Sequence, residues 1–185
     1  QYLLDKYFVY GDTSQDFLIY DKIDKKMDII KVGMPTLKTF ASEKKNSEFK
    51  EFDKFNLKCL VMSITSLLNW YDNGRASYSN WKKNLDFYEN LFVLAQKNQE
   101  ILFLIKSKKY DWLKLEYYES ILKKIRSLSN IKILNDLKTW TPSKCLVYSD
   151  FGIADSYTRL ADEMLALGKP VMIYDKSHKE DVKFL

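Results

Sequence analysis

The stretch CLVYSDFGIADSYTRLADEMLALGKPVMIYD, residues 145–175, decides the fold. It opens on an apolar run, 145–148, and closes on a second, 170–174. Between them a short polar turn leads into Tyr157, Leu160, Ala161, Met164 and Leu165, spaced at the steps of three and four that mark one face of a helix. Gly168, with Pro170 two residues on, is a helix-stop signal. Strand, turn, helix, strand is the repeating unit of a parallel sheet.

The same alternation extends towards the N-terminus. Residues 57–64 (LKCLVMSI), 100–106 (EILFLIK) and 131–134 (IKIL) are apolar enough to be strands covered on both faces. Residues 79–97 carry Trp81, Leu85, Tyr88, Phe92 and Ala95 as a helical stripe, and 113–128 carry Leu115, Tyr118, Leu122, Ile125 and Leu128 as another. The pattern predicts an α/β fold: a doubly wound, Rossmann-like parallel sheet of about five or six strands with helices on both faces.

Ahead of it, 7–10 (YFVY) and 29–32 (IIKV) read as short strands. Thr13 or Ser14 would cap a helix over QDFLIYDKI. Residues 41–56 are polar and charged and read as a linker. The expected division is therefore 1–55, the tail of a preceding domain and a linker, and 56–185, the Rossmann-like domain.

Composition narrows the function. The chain has 185 residues, 46% of them hydrophobic, with five glycines and three prolines, which suits an ordered core without long flexible linkers. The net charge of +5 comes from lysines scattered among acids and not from a basic block, so no nucleic-acid partner is expected. Two cysteines, Cys59 and Cys145, fall in expected apolar strands and read as buried small hydrophobes. With one histidine, His178, they assemble no zinc set, and no Asp-x-Asp metal motif appears; neither a metal nor a cofactor is expected. The low cysteine count fits a reducing, cytoplasmic compartment. No run of about 18 apolar residues offers a membrane span. The N-terminus lacks both a signal-peptide pattern and an initiator Met, so the chain is expected to be a fragment of something longer.

In an open parallel sheet, ligands bind beyond the carboxyl ends of the strands. Read this way, Asp150, Phe151 and Gly152 follow a strand at 145–148. Ser156 caps the next helix, and Thr158 lies in its first turn. Free N–H groups and the helix dipole there favour an anion such as phosphate, with hydroxyls and the Arg159 guanidinium adding to it. Asp150 and Asp155 either cap the turn or orient a hydroxyl. Of Asp162 and Glu163, one reads as a solvated charge and the other as a group that could reach a ribose. His178 is a surface histidine, or a base tuned by Asp175, Glu180 or Asp181. Trp70 and Tyr71 stack on a base or sugar, or meet another domain.

The string from Tyr148 to Asp175 resembles the C-terminal half of GT-B-type sugar-transfer enzymes. It looks most like the CDP-glycerol glycerophosphotransferases of teichoic-acid synthesis and related capsule enzymes, and the non-hydrolysing UDP-N-acetylglucosamine 2-epimerases share its layout. IIKVGMPTLKTF, 29–40, resembles the segment that links the two halves of such enzymes, with Thr36-Leu37-Lys38 where an acid is usual. LFLIKSKKYDW keeps a lysine, Lys106, but lacks the family's His-Pro.

The resemblance implies a donor, either a nucleotide-diphosphate-activated sugar or CDP-glycerol, and no cofactor. It puts Ser149–Gly152 at the donor, Ser156 and Thr158 on the phosphates, Asp162 or Glu163 at the ribose, and Lys106 as a phosphate contact. Ser63, Thr65 and Ser66 would face the same cleft. It also implies an N-terminal domain carrying the acceptor site and work at the inner face of the membrane. Two rival readings stand beside this donor domain of a surface-polysaccharide transferase: an epimerase-like enzyme, and a non-enzymatic α/β interaction module.

Overall fold

A computed structural model describes residues 6–9, 28–32, 52–63, 81–108, 110–156 and 158–174. The chain divides into two compact units, Gln1–Ser42 and Glu43–Leu185. In the first, β1 (Lys6–Val9) and β2 (Asp28–Lys31) pair in parallel, Lys6 opposite Asp28. The helix expected over QDFLIYDKI and the Gly-x-Pro segment lie outside the described residues.

The second unit is a five-stranded parallel sheet. Its strands are β3 (Leu57–Ser63), β4 (Ile101–Ser107), β5 (Ile131–Ile133), β6 (Phe151–Ala154) and β7 (Val171–Ile173), in the spatial order β5-β4-β3-β6-β7. All four pairings are parallel. β3 and β4 are buried at six of seven positions each, as strands covered on both faces must be. The chain winds outward from β3 to β5, then crosses back to β6 and winds the other way. The strand order therefore reverses between β3 and β6, which opens a crevice at their carboxyl ends.

Among the described residues four helices flank the sheet: α1 (Trp81–Lys97), α2 (Glu119–Ser127), α3 (Pro142–Tyr148) and α4 (Arg159–Ala166). Because side chains alternate across a strand, Cys59, Val61, Phe103, Ile105 and Ile153 face α1 and α2. There Tyr88 stacks on Trp112 at 4.7 Å and 14°, and Tyr118 meets both edge-on. Leu60, Met62, Leu104 and Ala154 form the other face, buried together with Cys145, Leu146, Ala161 and Met164.

Four expectations are corrected. Residues 145–148 are the second half of α3 and not a strand. Thr141 caps that helix, its Oγ1 accepting from Lys144 N at 3.3 Å, and Pro142 takes the first helical position, where its missing N–H costs nothing. The strand is the next apolar piece, FGIA. Gly152 reads as a turn residue, but a Cβ on it would stand 2.6 Å from Met62 Cε and 2.7 Å from Met164 Sδ, so close packing requires it. The single helix expected over 113–128 is two 3-10 turns, Asp111–Lys114 and Glu116–Tyr118, followed by α2. Within the supposed linker, Phe52 and Phe55 are buried, and Phe52 lies 6.0 Å from the Trp140 ring.

The stop signal behaves as read. Gly168 takes φ +73°, its N–H bonds to Leu165 O, and Lys169 N bonds to Met164 O, the paired bonds of a Schellman cap.

Candidate functional site

The crevice at the carboxyl ends of β3 and β6 is closed across its floor by side chains. Ser63, the last residue of β3, donates from Oγ to Asp155 Oδ2 at 2.8 Å. Asp155 follows β6 and is tied back to β3 through its own N–H, which bonds to Met62 O at 3.0 Å. Ser156 donates to the other carboxylate oxygen at 3.1 Å. From below, Tyr88 donates its hydroxyl to Ser63 Oγ at 2.9 Å.

On the other face of the sheet, Thr158 is the cap of α4. Its Oγ1 accepts from Ala161 N at 3.1 Å and lies 4.0 Å from Met62 Sδ. Met62 stands in register with Lys106 on one side and Ala154 on the other. The Met62 side chain therefore lies between the front of α4 and the lysine. Neighbouring strands are about 4.8 Å apart, so the ends of β4 and β6 are about 10 Å from each other, a span that suits a diphosphate.

Lys106 is only 7% exposed. Its ammonium donates to Ser107 O at 3.1 Å and lies 5.4 Å from the centre of the Tyr110 ring. No carboxylate pairs with it among the described residues, and desolvation by burial pulls its pKa below the ordinary lysine value. A buried cation without a counter-charge is costly, and an anion arriving in the crevice would relieve that cost. Tyr110, which covers it, donates its hydroxyl to Leu134 O and accepts from Ser107 N at 3.3 Å; burial pushes its pKa up to about 12.

The structure thus brings together Ser63, Lys106, Ser156 and Thr158, with Arg159 and Asp162 in the first turn of α4. Arg159 remains 61% exposed while its Nε bonds to Glu163 Oε1 at 3.0 Å. Glu163, expected at a ribose together with or instead of Asp162, has its side chain only 7% exposed and held in that pair. The cap is Thr158 and not Ser156.

Ser149, Asp150 and Gly152 do not join the site. Ser149 and Asp150 precede β6 at the opposite, amino edge, because the strand begins after them. Asp150 Oδ2 accepts from Lys58 N at 2.8 Å, and Ser149 is fully buried, its carbonyl accepting from Lys169 Nζ and its hydroxyl without a partner. Gly152 lies inside β6, under the two methionines. Thr65, Ser66, Trp70, Tyr71 and His178 lie outside the described residues.

Sequence reasoning missed Tyr88 and Tyr110. Tyr88 reads as one more member of an apolar stripe, and its hydroxyl is the one available signal. Tyr110 sits in KSKKYDW, four residues after Lys106, with nothing local to distinguish it.

A depression of about 270 Å³ lies elsewhere, between α2 and the edge strand β5, lined by Leu113, Ile125, Leu128, Ile131 and Ile133. Arg126, Lys132 and Asn135 line it as well, and it lies away from the point where the strand order reverses. No group of three or more His, Cys, Asp or Glu able to hold a metal occurs among the described residues. No helix among them is long and apolar enough to cross a membrane.

No sequence family and no curated protein matches the chain. Among solved structures it is similar to S. aureus MnaA, determined with UDP, at a TM-score of 0.60 and 13% identity over 93% of this chain and 42% of that one. The likeness is one of fold: the second unit is a Rossmann-like, GT-B-type domain. The chain spans less than half of the MnaA chain.

Proposed function

We propose that the chain carries the donor-binding half, residues 56–185, of an enzyme that uses a nucleotide-activated sugar or CDP-glycerol. The diphosphate lies above Met62, beyond the carboxyl ends of β3, β4 and β6, and within reach of both the front of α4 and Lys106. One observation carries this reading: a nearly buried lysine at the carboxyl edge of the sheet that no acid among the described residues neutralises. Thr158, which turns the backbone so that the first N–H groups of α4 face the crevice, supports it. So does the likeness in fold to a protein solved with UDP.

The reaction served is transfer of a glycosyl or glycerophosphoryl group during synthesis of a surface polysaccharide. An acceptor hydroxyl attacks, and Lys106 with the N-terminus of α4 stabilises the departing nucleotide. The acceptor and its base belong to an N-terminal domain, and the work is done in the cytoplasm at the inner face of the membrane. The transferase is preferred over an epimerase-like activity because two of the described acids near the crevice are already engaged: Asp155 by two serines and Glu163 by Arg159.

Calorimetric titration with UDP, CDP, GDP and ADP tests the reading. One pyrimidine diphosphate is expected to bind, and Lys106→Met is expected to weaken it about 10- to 100-fold, the worth of one charge-assisted contact. Equal affinities in the two proteins would sink the proposal.

A further inference from the structure

Tyr88 is fully buried in the aromatic layer, stacked on Trp112 and edge-on to Phe87 and Tyr118. A phenylalanine would fill the same space. A buried hydroxyl is tolerated where it is hydrogen-bonded, and this one reaches the last residue of the central strand.

The direction of the bonds follows from proton counting. An ionised carboxylate only accepts, so the single proton of Ser63 Oγ goes to Asp155 Oδ2, and the contact with Tyr88 uses a lone pair of Ser63 and the phenolic proton. Tyr88 thereby holds the Ser63 hydroxyl pointed at Asp155. Asp155 adjoins Ser156, which bonds to the same carboxylate, and stands three residues before the cap of α4. An unbroken run of hydrogen bonds leads from the rigid aromatic core to the turn that aims the helix at the crevice.

We infer that Tyr88 is a positioning residue for the ligand site: acting through Ser63 and Asp155, it fixes the turn between β6 and α4 in the orientation that receives the diphosphate. This deepens the donor-binding reading and rests on it. Tyr88 touches no ligand; it sets the geometry of groups that do.

A double-mutant cycle read by affinity tests the inference, using the full chain, Tyr88→Phe, Ser63→Ala and the double variant, titrated calorimetrically with UDP and with CDP. Tyr88→Phe is expected to raise Kd about three- to tenfold, the order of one neutral hydrogen bond, and to add nothing once Ser63 is alanine. Thermal unfolding of each variant accompanies the titrations.

A Tyr88→Phe protein with lowered Tm and unchanged Kd would show a purely structural hydroxyl and overturn the inference. So would losses in Kd that multiply independently. If the unmodified chain binds neither nucleotide, the donor-binding reading fails and the inference with it, an outcome separable from the other two because it appears before any substitution is made.

Discussion

At the amino edge of the sheet, Lys169 gives its ammonium protons to the carbonyls of Leu146, Val147 and Ser149 at the end of α3. At the carboxyl edge, Lys106 finds one carbonyl, that of its own neighbour Ser107. The rest of the amino edge is fastened in the same manner. Asn130 Nδ2 reaches Ala95 O, Asn98 O and Ile101 O, and Asp150 takes the N–H of Lys58. The Schellman cap at Gly168 delivers Lys169 to its place. The amino edge is not saturated throughout, since the Ser149 hydroxyl has no partner there and Lys58, 8% exposed, reaches only Phe55 O at 3.4 Å; what sets Lys106 apart is its place at the carboxyl edge, where ligands of parallel sheets bind. A lysine that saturates backbone acceptors is architecture; Lys106, paired with no described carboxylate and set at the carboxyl edge, is the one placed to meet a ligand.

The same substitution at the two edges should break the comparison if it is wrong. Lys169→Met strips three buried carbonyls of their donor and is expected to cost about 2–4 kcal/mol in urea unfolding, leaving nucleotide affinity unchanged. Lys106→Met removes a buried charge that no described carboxylate pairs with. It is expected to leave stability unchanged or to raise it by about 1 kcal/mol, while binding suffers. Two losses of equal size would erase the distinction.

The alkaline pH profile sharpens it further. The Lys106 pKa is lowered in the folded chain, so between that value and the ordinary 10.5 the unfolded chain holds the extra proton and stability rises with pH. The Tyr110 pKa is raised from 10.0 to about 12, so its contribution is complete below 10 and lost as pH climbs through that interval. Denaturant midpoints measured against pH should climb and then fall, and Lys106→Met should flatten only the climb. The smallest effect is expected at Gly152→Ala. Flexible methionine ends can move aside, so about 1 kcal/mol of stability is lost with no change in affinity. A large change in affinity there would return Gly152 to the site.

The sheet was legible because its strands are nearly continuous apolar runs bounded by helical stripes. β3 and β4 fall within a residue of their expected bounds. The error at 145–148 arose because four apolar residues are too few to show a period, so TPSK, the cap and proline just before them, was the deciding signal. That shift of one element carried Ser149, Asp150 and Gly152 to the wrong edge. Thr158 was placed at the carboxyl edge because helix starts mark that edge in any parallel sheet, while Lys106 and Ser63 were placed there by the family resemblance, and the structure has all three at that edge. Tyr88 lies in the core as its stripe predicts, yet its hydroxyl bond and the Glu163 pair with Arg159 were not foreseen, because a periodic pattern says which way a side chain points but not what its polar end will meet.

The bond that closes the crevice joins Ser63 to Asp155, residues 92 positions apart, and the matching bond at the other edge joins Lys58 to Asp150 over the same interval. The central strand can pair early with β4, but its second neighbour emerges from the ribosome far later. Long loop closure of this kind makes parallel sheets slow to assemble. Until β6 arrives, β3 presents an open, apolar edge to every other nascent chain nearby. The ligand crevice is therefore among the last features to form, and a nucleotide that binds it stabilises only the finished sheet, withdrawing chains from the pool that would otherwise aggregate.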